Sequence, residues 1–151
     1  MNPLWSNFTL WLPISAAVAV QLYKFISESI RDGQWNFNAL SRSGGMPSSH
    51  SAMVTSLSTA MGHRFGLNSG EFSVSIILAI IVMYDASGVR QAAGKQAKVI
   101  NQIVRELFSG KPLSEEQLKE LIGHTQFEVI VGALVGIAYT LILLLLIDPA
   151  P

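Results

Sequence analysis

The sequence predicts an all-α fold: an integral membrane helical bundle of about four transmembrane helices with one long cytoplasmic-side connection. Three observations predict it. Half of the 151 residues are hydrophobic and only 13% are charged, with a mean hydropathy of +0.41, as in membrane-embedded chains. Four apolar stretches are spread along the chain. The Lys and Arg residues fall almost wholly on one side of those stretches, which is how bundles are oriented in a bilayer. The length suits a single domain covering residues 1–151.

The first stretch, FTLWLPISAAVAVQLY, lies in a segment from Asn2 to Tyr23 without an ionisable side chain. Trp5 and Trp11 suit the headgroup level. The start, MNPLWSNF, has no basic residue, so it lacks the character of a cleaved leader and the first span is expected to be retained. The second stretch, SAMVTSLSTAMGH (51–63), is short and rich in Ser and Thr, and the third, FSVSIILAIIVMYDASGV (72–89), carries Asp85. Polar or short helices belong inside a bundle rather than against lipid. The fourth, Val129 to Ile147, is uncharged and the clearest span.

Between the third and fourth stretches lies the long connection, 90–125. There VINQIVRELF has apolar residues at helical spacing, continuing the third helix or lying along the interface. SGKP (109–112) breaks it, SEEQ (114–117) fits a capping box, and Gly123 ends that short helix.

Four spans place both termini and the 64–71 connection on one side. Lys24, Arg31, Arg42, Arg90, Lys95, Lys98, Arg105, Lys111 and Lys119 then lie on the other, and only Arg64 accompanies the termini. The predicted arrangement has both termini on the non-cytoplasmic side and the loops bearing the motifs cytoplasmic. A net charge of zero excludes a basic footprint for nucleic acid, and zero cysteines exclude disulfides and thiolate metal sites.

Three stretches carry chemistry. In GGMPSSHSA (44–52), Gly44 and Gly45 permit positive-φ backbone, Pro47 suits a first helical turn, and Ser48 or Ser49 can cap it. Such a loop-to-helix junction aims free N–H groups at one point and binds anions, phosphate above all. His50 sits in the same turn. A plain helix cap with a bystander histidine would use the same residues.

In GHTQFEVIVGALVG (123–136), His124 and Glu128 are four apart and share a helix face. A carboxylate beside an imidazole fixes its tautomer and prepares a nucleophilic histidine. The same letters also spell a T-x-x-E capping box from Thr125 to Glu128, which would leave His124 an exposed loop residue. Gly132 and Gly136 form G-x-x-x-G, a helix-packing face.

In YDASGVRQAAGKQAK (84–98), Asp85 lies near the membrane edge, where a carboxylate needs a partner. Arg90 has the fork that suits phosphate, while Lys95 and Lys98 read as orientation determinants. Lys24 and Arg31, seven apart, lie on roughly one face of the first helix, as snorkelling cations also would.

Together these pieces resemble the type 2 phosphatidic acid phosphatase and vanadium haloperoxidase superfamily, and more closely its small divergent membrane branch. The resemblance covers about Gln21 to Gly136. KFISESIR stands for K-x6-R-P, PSSH for P-S-G-H, and HTQFE for H-x3-D. It implies that His124 is the nucleophile of a phosphohistidine mechanism, that Glu128 orients it, and that His50 protonates the leaving group. Lys24, Arg31, Arg90 and the loop residues Gly45, Ser48 and Ser49 would bind the phosphoryl oxygens. It implies no metal and no cofactor.

The sequence departs from the superfamily pattern at four places. Asp32 follows Arg31, Ser49 replaces glycine, Glu128 replaces aspartate, and Arg90 lies 34 residues before His124. The function so implied is hydrolysis of a lipid phosphate monoester or diphosphate at the cytoplasmic membrane face by one membrane-embedded phosphatase-like domain. The alternative is a non-catalytic phosphate- or lipid-binding scaffold. A small transporter would use Asp85 but lacks an inverted repeat. The thin bundle and its G-x-x-x-G face would suit a homodimer.

Overall fold

The structure, a computed structural model, describes residues 4–35, 37, 45–107 and 124–147, with Arg90, Gln91 and Glu106 described in backbone only. The SGKP break, the SEEQ capping box, Gly123 and Gly44 lie outside the described residues, as do Arg42, Lys111 and Lys119. A 3-10 turn, Leu4–Ser6, leads into α1 (Phe8–Asp32), followed by α2 (Ser49–Phe65), α3 (Gly70–Ser87), α4 (Val89–Leu107) and α5 (Gln126–Ile147). Among the described residues every regular element is helical, as the sequence predicts for an all-α membrane bundle. Three helical stretches are long and apolar enough to cross a bilayer: Phe8–Asp32, Gly70–Arg105 and Gln126–Leu146.

α1 buries Leu12, Ala16, Val20 and Lys24. These residues recur every four positions, so a single stripe faces the bundle and carries one cation inward at its fourth position. The helix stops at Gly33, whose φ of 67° is the left-handed conformation of a helix end. Trp5 and Trp11 stack with centroids 6.0 Å apart at the opposite end.

α2 is the short polar helix, and it packs against α1, α3 and α5. Its 17 residues span about 25 Å, and its buried set is Ser51, Ala52, Val54, Thr55, Ser56, Ser58 and Ala60. Small side chains let the neighbours approach, and two of the buried hydroxyls donate back to their own helix. Thr55 donates to the Ser51 carbonyl at 2.8 Å and Ser58 to that of Val54 at 3.0 Å. Both hydroxyls are thereby satisfied within the helix.

α5 runs parallel to α2 in fixed register. A β-carbon at Gly132 would meet the backbone of Ser48, and one at Gly136 would meet the Ala52 carbonyl and the Thr55 hydroxyl. One turn further, Thr140 Oγ1 donates to Ser56 Oγ at 2.6 Å, with both residues buried. The G-x-x-x-G segment is thus the α2-facing side of α5.

α3 buries only Ser75, Ala79 and Ala86 and exposes Val74, Ile77 and Ile81. Helical hydrogen bonding continues through Gly88, from Gly88 N–H to the Tyr84 carbonyl at 2.8 Å and from Ala92 N–H to the Gly88 carbonyl at 2.9 Å. α4 therefore continues α3, with exposed Val99, Ile100 and Ile103 on one face and cations on the other. At the end remote from α4, Leu12, Ala60 and Leu144 form a buried apolar cluster, and Arg64 lies over the Phe8 ring at 5.1 Å.

Candidate active site

The alternating helices bring four chain ends together. α2 and α5 begin where α3 ends and beside the last turns of α1. Two backbone bonds fix the junction. Ser48 N–H donates to the Glu128 carbonyl at 3.2 Å, and His124 N–H donates to the Ala86 carbonyl at 2.9 Å. The PSSH, HTQFE and DASGVR stretches, far apart in sequence, are thereby tied by main-chain contacts.

The loop before α2 enters with Gly45 at φ +78°, a conformation that favours glycine. A β-carbon there would stand 3.9 Å from Glu28 Oε1 of α1. Pro47 precedes the helix rather than occupying its first turn, and the Met46–Pro47 peptide is cis. Ser48 is the N-cap: its hydroxyl accepts from Ser51 N–H at 3.3 Å, and its side chain is fully buried. Ser49 is the first helical residue, half-buried, and His50 follows it on the exposed side.

His124 sits just before α5, and both readings of its surroundings come together. Thr125 N–H donates to Glu128 Oε2 at 2.8 Å and Glu128 N–H donates to Thr125 Oγ1 at 3.3 Å, completing a reciprocal capping box. The same Glu128 oxygen lies 3.5 Å from His124 Nδ1. The capping box does not leave His124 exposed: only 4% of its surface is accessible. The alternative of an exposed loop histidine is corrected here, because Ala86 of α3 draws the His124 backbone into the bundle.

Lys24 is equally inaccessible, at 4%. It acts on the charge of His124, as does His50. Burial holds the imidazole below its ordinary value of 6.5. Glu128 opposes that shift, while Lys24 and His50 reinforce it. Burial thus favours the neutral ring, which carries an unshared nitrogen lone pair. Among the described residues, His124 Nδ1, Ser51 Oγ and Ser29 Oγ are buried without a hydrogen-bond partner. Orphaned polar atoms of this kind call for an explanation in the site's function.

The remaining candidates divide. Asp85 is half-buried and immediately precedes the Ala86 carbonyl that holds His124. Arg31 does not share the inward face of Lys24. It is 71% exposed, and its Nε donates to Asp32 Oδ1 at 2.9 Å, so the adjacent carboxylate takes the guanidinium. Arg90 is the second residue of α4, placed by its backbone alone. Among the described residues no group of three His, Asp or Glu side chains is arranged to hold a metal ion. Sequence reasoning missed Ser51, whose signal was its place three residues after the capping serine. It also missed the Ala86 carbonyl, which carries no sequence signal.

The chain is 40% identical to the uncharacterized membrane protein YuiD of Bacillus subtilis (strain 168), over 93% of this chain and 96% of that protein. No solved structure matches it. Residues 5–139 match the model of the Divergent PAP2 family. They include every residue of the His124 junction. This integral membrane protein belongs to the Divergent PAP2 family.

Proposed function

We propose that the chain is a membrane phosphatase that hydrolyses a lipid phosphate monoester or diphosphate through a phosphohistidine at His124. The observation that carries this reading is a buried imidazole beside a carboxylate at 3.5 Å where two helix N-termini meet. A nucleophilic histidine requires the free base, and the Glu128 carboxylate, 3.5 Å from Nδ1, would close to a hydrogen bond with substrate bound and so aim Nε2 at it.

In the first step the Nε2–P bond forms and the P–O bond to the lipid breaks. The leaving oxygen takes a proton from His50, whose exposed position on the first turn of α2 admits it to the headgroup. In the second step water loses a proton to His50 and attacks phosphorus. The N–P bond breaks, releasing phosphate and neutral His124. Lys24 offsets the charge on the phosphoryl oxygens, and the amides of Ser49 and His50 at the helix start donate to them. Gly45 and Ser48 shape the loop that supplies those amides. Arg90 would add its guanidinium from the start of α4, and Arg31 would have to leave Asp32 to contribute. Asp85 supports the Ala86–His124 tie.

The distribution of cations supports a cytoplasmic site, with both termini on the opposite face. The test is phosphate release from a panel of lipid phosphates by purified protein, with vanadate and with His124→Ala. Release blocked by vanadate and absent in the variant supports the mechanism; release that survives His124→Ala refutes it.

A second reading, a phosphate- or lipid-binding scaffold without turnover, is favoured by one observation. Arg31, one of the cations that the resemblance assigns to the phosphoryl group, is engaged with Asp32 and exposed. Vanadate binding with no release from any lipid would establish it. A homodimer is open to the same preparation through its mass in detergent.

A further inference from the structure

A cleft of about 370 Å³ runs between α1 and α5. Ala16, Ala19 and Val20 line it from α1, and Val131, Val135 and Tyr139 from α5. Both helices are apolar enough to cross a bilayer, so the cleft lies at hydrocarbon depth. α2 packs against both α1 and α5, and the small residues on α1 leave the space between those two helices unfilled. Water is not stable in such a place, and a hydrocarbon chain is.

The head of the cleft adjoins the His124 junction. Tyr23, Met46 and Pro47 close it at that end. Tyr23 is followed by the buried Lys24, and Pro47 by Ser48, whose amide is bonded to Glu128. From Val131 to Tyr139 the wall extends about 12 Å along α5. One leaflet of hydrocarbon is about 15 Å deep, half of the bilayer core, so the cleft follows a lipid chain for most of its length. A larger cleft, about 560 Å³, between α2, α3 and α5 includes His63 and Leu67 and so extends toward the opposite end. It does not share this head.

We propose that the α1–α5 cleft holds one hydrocarbon chain of the lipid phosphate whose phosphoryl group occupies the His124 site. The inference rests on the lipid phosphate reading above and adds where the lipid body lies. It makes the protein a reader of the chain as well as the headgroup. A second chain, where the lipid has one, stays in the bilayer.

The test is photolabelling of the whole protein in lipid nanodiscs with a long-chain alkyl phosphate bearing a diazirine midway along its chain. Adducts are then mapped by mass spectrometry. The expected result is labelling concentrated on Val131, Val135, Tyr139 and the Ala16–Val20 turn. Excess unlabelled alkyl phosphate should reduce it at least fivefold, and the alcohol of the same chain should not. Ala19→Trp, which fills the cleft, should reduce it comparably, with Val135→Phe as a milder filling variant, while Ile81→Trp on the outward face of α3 should leave it unchanged. Labelling spread evenly over the outward faces of α3 and α5, or indifferent to the phosphate competitor, overturns the proposal. Phosphate release is measured on the same samples. Cleft labelling without release retains the cleft and removes the phosphatase; release with the chain labelled elsewhere does the reverse.

Discussion

Glu128 serves two neighbours with one oxygen: the amide of Thr125 at 2.8 Å and the ring of His124 at 3.5 Å. The two roles separate in Glu128→Gln. A glutamine keeps the amide acceptor that a capping box needs but removes the charge beside the imidazole. Thermal stability in detergent should change little, while turnover falls on the order of 10²-fold or more. An equal loss in Tm would mean that the carboxylate is only a cap. A second prediction concerns pH. A histidine depressed by burial stays neutral in the folded chain while the unfolded chain takes up a proton. Its stability contribution is therefore full above the ordinary value of 6.5 and declines as pH falls below it. Melting curves of the wild type should lose Tm on acidification below pH 6.5, and His124→Gln should lose less. The four-residue spacing of His124 and Glu128 was legible in the sequence. The burial was not, because Ala86, whose carbonyl holds the His124 amide, and Lys24, which acts on its charge, come from other helices.

At the scale of the element, α2 and α5 are one unit. Gly136→Ala places a methyl group against the Ala52 carbonyl and the Thr55 hydroxyl. That contact cannot be relieved by rotating a side chain, so the cost is about 1–3 kcal/mol, read as a lowered Tm. Thr140→Val removes the 2.6 Å bond to Ser56 while keeping the shape, and should cost about 0.6 kcal/mol. The order of the two variants tests whether close approach or hydrogen bonding holds the pair. The sequence announced α2 as an interior helix through its serines and threonines, and Gly132 and Gly136 as a packing face. It could not announce the partner of that face. Thr140 and Ser56 stand 84 residues apart, and nothing local encodes a parallel register over such a distance.

For the whole molecule, the apolar stretches and their order were legible because bilayer thickness imposes a length and a composition on every span. The meeting of three motifs at one end follows from alternating direction, and was legible once the spans were counted. Arg31 escaped, because its pairing with Asp32 competes with any inward contact and spacing alone does not decide between them. Sidedness has a direct check. The chain has zero cysteines, so single cysteines report without background. Asn68→Cys, in the exposed α2–α3 turn, should react with an impermeant maleimide on intact cells, and Gln34→Cys only after permeabilisation. The converse pattern would turn the site outward.

The parallel pairing of α2 with α5 has an electrostatic consequence. Each helix carries about half a positive charge at its N-terminus, so two like poles lie side by side with buried Lys24 near them. An antiparallel pair would have let opposite poles cancel. Here the Glu128 carboxylate in the first turn of α5 offsets part of that charge, and an anion bound at the junction would offset more. Phosphate or vanadate should accordingly raise Tm in proportion to the logarithm of its concentration above Kd, in catalytic and non-catalytic variants alike. On this account a bound anion adds to a charge balance that Glu128 has already begun.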